Sequence, residues 1–158
     1  MKKRYIVILI IALVVIILLA WFFMKPKSDT NSSSAPEVNI TYQNIASVIG
    51  KSSMVSSLPS NSDLLLKFYS FNSGVRVWEK FFTIQKGLMK ETTNPDEEAE
   101  IVLTLNSKYL HGLTNHNFCS MIQQANQNGD LGFETEMSAA ALAWKFKSMY
   151  QYKDCFGY

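Results

Sequence analysis

"GDLGFETEMSAAALAWKFKSMY", residues Gly129 to Tyr150, decides how the last third of this chain folds. Its first half reads as a short strand. Its second half carries apolar residues at helical spacing and reads as a helix that follows the strand with no turn residues between them. Met137, Ala140, Ala141 and Trp144 fall on one helical face, and Leu142, Phe146 and Met149 fall on an adjoining one. Together these faces are wider than the roughly 100° stripe with which a surface helix docks on a core. The helix is therefore expected either to be buried all round or to meet a second apolar partner.

Upstream of this stretch, the pattern supplies a sheet. "IVLTLN", Ile101 to Asn106, alternates strictly and is the clearest strand in the chain. "DLLLKFYSF" (Asp63 to Phe71) and "VRVWEKFFTIQ" (Val75 to Gln85) read as two strands joined by a turn at Asn72-Ser73-Gly74, and "LMKETT" as a short further strand. In the second strand the period-two pleat puts Trp78, Phe82 and Ile84 on one side, and Val75, Val77 and Phe81 on the other. "TYQNIASVIGKSSMVSSL" predicts one or two short helices ending at Gly50 and before Pro59. Two more are expected in "SKYLHGLTN", capped by Ser107, and in "NFCSMIQQANQ", opened by Asn115 or Asn117. The expected class is α+β: a mostly antiparallel sheet of about five strands with helices packed on one face.

The other end of the chain has a different character. Residues 5–24, "YIVILIIALVVIILLAWFFM", are an unbroken apolar run, long enough as a helix to cross a hydrocarbon core of about 30 Å. The run is longer than a cleavable signal core, and it closes on Trp21, Phe22 and Phe23 rather than on small residues. Residues 1–24 are accordingly expected to be a single-pass signal-anchor. Lys2, Lys3 and Arg4 outnumber Lys25 and Lys27, which puts the N-terminus in the cytoplasm and the C-terminal domain outside it. Residues 25–40 have the Ser/Pro-rich composition of a flexible stalk, and 41–158 are the expected folded domain.

The formal net charge is +2. With Lys2, Lys3 and Arg4 taken from the 15 Lys and Arg, twelve basic side chains face 13 acidic ones, a balance of about −1 that gives no nucleic-acid footprint. Chemistry is thinly represented. His111, His116 and Cys119 form H-x4-H-x2-C, which matches neither a zinc finger nor a zincin helix. The acidic loop from Asn94 to Glu100 lacks the spacing of a calcium loop. No phosphate-cradling glycine loop and no GxSxG elbow occurs. No catalytic residue, metal site or cofactor is expected, and the chain does not read as an enzyme. In an exported domain Cys119 and Cys155 could pair across the end of the last helix; two reduced, buried thiols are the alternative.

"AEIVLTLN" (Ala99 to Asn106), "SKYLHGLTN", "QANQNGDLGFET" (Gln124 to Thr135) and "AAALAWKFKSMY" follow one another in an order that resembles the lipid-binding domain of the sterol carrier protein type-two family. Thr135 or Glu136 stands where that family has a glycine. The resemblance implies a tunnel between sheet and helices, covered by the final helix. It also implies that Phe82, Leu103, Phe118, Ile122, Leu131, Phe133, Ala141, Trp144, Phe146 and Met149 line the tunnel. The implied ligand is a fatty acid, phospholipid, sterol or isoprenoid. A module of a different class is the competing expectation: a structural or assembly component whose C-terminal helix docks a partner protein.

Overall fold

The computed structural model describes residues 36–156. The apolar run at 5–24 and most of the stalk lie outside them. Among the described residues no helix is long and apolar enough to cross a membrane.

Five strands form one sheet: β1 (Leu64–Asn72), β2 (Val75–Gln85), β3 (Leu88–Thr92), β4 (Ile101–Asn106) and β5 (Leu131–Thr135), in the spatial order β3-β2-β1-β4-β5. The β1–β2 and β2–β3 pairs are antiparallel, as their hairpin-length connections require, and β4–β5 is antiparallel across the longer connection at 107–130. The central pair differs. β4 lies parallel to β1, with Leu64 opposite Ile101 and Tyr69 opposite Asn106, so the sheet is mixed. The cause is the excursion through β2 and β3: residues 93–100 then lead the chain back to the end at which β1 began, where Glu100 N–H donates to the Asp63 carbonyl.

Helices α1 (Ile45–Ile49), α2 (Ser53–Ser56), α3 (Phe118–Gln127) and α4 (Ala139–Lys145) contribute to the core on one face of the sheet. Gly50 ends α1 where a side chain has no room: a Cβ there would meet the Ala46 carbonyl and come within 3.1 Å of the Met89 nitrogen. Ser52 caps α2 by accepting from Val55 N–H, and Ser138 caps α4 by accepting from Ala141 N–H. After β4 the chain makes a 3-10 turn at Ser107–Leu110, capped by Asn106 rather than by Ser107. Asn117 stands at the start of α3, but its side chain turns back to Thr114 N–H and the Gly112 carbonyl.

A bulge in β2 changes which side chains meet. Tyr69 pairs with Trp78 and Phe68 with Lys80, so Glu79 is the extra residue. Alternation inverts at such a point. Trp78 consequently joins Phe81 and Tyr69 on the face away from the helices, while Phe82 and Ile84 stay in the core; the side chains of β2 do not divide as an unbroken pleat would divide them. Val77 pairs with Ser70 and is likewise separated from Phe81. Glu79 accepts from the Tyr42 hydroxyl, whose ring packs edge-on against Phe68 at 5.4 Å. Hydrogen bonds from Ser70 and then Tyr42 hold the Glu79 carboxyl below the usual range, and burial followed by the Glu79 contact pushes the Tyr42 hydroxyl well above its own.

Asp130 fixes the entry to β5. Its carboxylate accepts from Tyr109 at 2.8 Å and pairs with Lys108 at 2.7 Å, and its carbonyl accepts from Asn106 N–H and the Tyr69 hydroxyl.

Candidate ligand cavity

The segment that follows α4 organises the site. Phe146 ends the α-helix, and the chain continues as a 3-10 helix from Lys147 to Phe156. In a 3-10 helix residues three apart eclipse one another, so the side chains stand in straight rows. One row, Phe146, Met149, Tyr152 and Cys155, faces inward; the first three are half-buried and the last is buried. A second row fastens the segment. Lys145 pairs with Glu100 and donates to the Asn61 carbonyl, Ser148 donates to the Ser57 carbonyl at 2.7 Å, Gln151 donates to Ser57 Oγ, and the Asp154 carbonyl accepts from Gln123. Cys155 completes the attachment through a disulfide to Cys119 of α3, with Cα atoms 4.7 Å apart.

Between this segment and the sheet lie two adjoining spaces. The inner one, of about 90 Å³, is walled only by apolar side chains, with Phe68, Ile84 and Leu105 from the sheet and Ile45, Val55 and Ile122 from α1, α2 and α3 among them. The outer one, of about 280 Å³, opens between β5 and α4, past Phe133, Leu142 and Phe146. Leu58, Leu64, Leu103, Leu131 and Met149 line both, so the two spaces adjoin across a shared apolar wall. Asn126 is the sole polar residue on the outer wall, and no titratable side chain lines either space. Such walls can hold an apolar body and offer no group for acid-base or nucleophilic chemistry.

The residues expected at a tunnel distribute unevenly. Leu103, Leu131 and Met149 line both spaces, Phe118 and Ile122 the inner one, and Phe133 and Phe146 the mouth. Phe82 sits elsewhere, 1% exposed in the core with its ring edge-on to Phe68. Ala141 and Trp144 are exposed, Trp144 by 77%, on the side of α4 away from the cavity. The helix is therefore not buried all round: α4 has no fully buried residue, and only its Leu142 and Phe146 side reaches the cavity. The walls from α1 and α2 did not emerge from the residues that carry the resemblance. Their sequence signal is the apolar spacing of Ile45, Ile49, Met54, Val55 and Leu58, which marks a packed face without saying that the face borders a space.

Among the described residues no group of three His, Cys, Asp or Glu side chains could hold a metal ion. Cys119 of the H-x4-H-x2-C pattern is committed to the disulfide.

No protein-family model matches this chain, and no curated protein matches it. Solved structures do. The chain is similar to the ubiquinone synthesis protein UbiJ-SCP2, at 8% identity over 71% of this chain and 88% of that one, with a TM-score of 0.38. It is also similar to the sterol carrier protein domain 2 of Helicoverpa armigera, at 17% identity over 66% and 75% of the two chains (TM-score 0.36). A third likeness is to sterol carrier protein 2 from Yarrowia lipolytica in its apo form, at 15% identity over 65% and 78% (TM-score 0.35). Superpositions this loose carry no argument about ligand or role. The cavity has to speak for itself.

Proposed function

We propose that this protein binds one apolar ligand, a fatty acid, phospholipid, sterol or isoprenoid, in the cavity beneath α4 and the 3-10 helix. The domain carrying it is tethered by residues 5–24 and stands outside the cytoplasm. The observation that carries the reading is the pair of adjoining apolar spaces. Protein interiors are close-packed, and an empty apolar void costs about 24 cal/mol per Å³. The inner space alone, about 90 Å³, then costs on the order of 2 kcal/mol, a large share of a typical stability of about 5–15 kcal/mol. A ligand chain filling it removes that cost. The sequence resemblance to sterol carrier domains points the same way, and the Cys119–Cys155 bond suits an oxidising compartment.

The test pairs binding with stability. The full chain, purified in detergent, delipidated and titrated with a fluorescent fatty acid, is expected to bind it, while Phe146→Glu at the mouth loses binding with a small change in Tm. A parent protein that takes up neither fatty acid nor any component of a lipid extract overturns the proposal.

A further inference from the structure

The 3-10 helix has a third row, which neither the cavity nor the fastening uses. Trp144, Lys147, Tyr150 and Lys153 stand three apart and are all exposed, Trp144 by 77% and Tyr150 by 70%. Each cation lies over the ring that precedes it: Lys147 Nζ is 5.1 Å from the Trp144 centroid and Lys153 Nζ 5.1 Å from that of Tyr150. Among the described residues neither lysine is in an ion pair. Beside the row lie the exposed side chains of Ala140 and Ala141, and half-exposed Phe133 stands at the cavity mouth.

We infer that this row is the face by which the domain rests on an anionic lipid bilayer. Alternating aromatic and basic side chains match the chemistry of a bilayer interface. Trp and Tyr rings favour the headgroup level, long lysine stems lie along apolar surface while their ammonium groups reach phosphates, and anionic lipids attract each cation. A protein partner would need shaped pockets for two aromatic anchors; a bilayer accepts them anywhere along a straight row. The chain's own length agrees. If residues 5–24 span the membrane, eleven residues separate them from Pro36, at most about 40 Å of extended chain, so the domain stays at the surface yet can turn a chosen face to it. The inference rests on the proposed function for its purpose, since a bilayer is the source of an apolar ligand.

Trp144 and Trp78 make the test internal to the molecule, because Trp78 is also exposed, by 42%, but on the opposite face of the sheet. The full chain carrying Trp21→Phe is reconstituted in vesicles of phosphatidylglycerol or of phosphatidylcholine bearing brominated acyl chains, with Trp78→Phe or Trp144→Phe isolating each ring. Trp144 emission is expected to be quenched in phosphatidylglycerol and several-fold less in phosphatidylcholine, and K147E/K153E is expected to abolish the quenching without a shift in Tm. Trp78 is expected to stay unquenched. Quenching of Trp78 in place of Trp144 overturns the inference. So does an unquenched Trp144, and so does concentration-dependent self-association that buries Trp144 in a second copy. Fatty-acid titration in detergent runs alongside: K147E/K153E should bind like the parent, so a failed cavity and a failed docking face give different results.

Discussion

Asp130 holds Lys108, Tyr109 and, through its carbonyl, Tyr69 at the point where β5 begins. The Lys108 hydrogen bond, with Tyr109 adding to it against the effect of burial, keeps this carboxyl below the usual aspartate range. The unfolded side chain titrates near about 3.9. Because the folded value is lower, the stabilisation is fully present above that pH and is lost as pH falls through the folded value. Melting temperatures of parent and Asp130→Asn should thus differ at pH 7 and converge as pH falls through the folded value; a constant gap down to acid pH would remove Asp130 from the acid response. None of this was legible in "NGDLG", which announces a turn but not that its aspartate gathers four partners from other elements. The same limit held at Glu79: strand alternation is readable from composition, whereas the extra residue that inverts it is not, nor is its hydrogen bond with Tyr42, distant in sequence.

At the scale of elements, the strands were legible because each is a short apolar run closed by turn residues, as at Asn72-Ser73-Gly74 and Lys86-Gly87. The parallel placing of β4 was not, since pairing direction depends on where the loop at 93–100 delivers the chain. The last segment shows the limit most sharply. Sorting at 3.6 per turn already set Phe146 and Met149 apart from Trp144, but beyond Phe146 the geometry repeats every three, which carries the inward row on through Tyr152 and Cys155. Polar anchoring of this element yields a prediction. Lys145→Met leaves the Glu100 carboxylate, whose Oε2 already accepts no hydrogen bond among the described residues, without its cation. The loss should be about 1–3 kcal/mol, measured by urea unfolding. An unchanged midpoint would show that Ser148, Gln151 and the disulfide hold the segment unaided. Removing the disulfide with Cys119→Ser/Cys155→Ser should cost more, roughly 4 kcal/mol for a loop of 36 residues.

For the whole molecule, the prediction concerns where the domain resides. If the domain stands outside the cytoplasm, as proposed from the basic start and apolar run, protease added to intact cells should digest residues 36–158. Protection until the cells are lysed would reverse the orientation. Location also bears on the bond between Cys119 and Cys155, which encloses β5, α4 and most of the 3-10 helix in a covalent ring. A ring behaves unlike a flap. If a protease in that compartment nicks the exposed stretch around Glu136 and Ser138, the severed helix cannot drift away, because its far end remains bonded to α3. The cut protein should run as one species on a non-reducing gel and as two after thiol treatment, and it should keep the cavity's cover in place throughout.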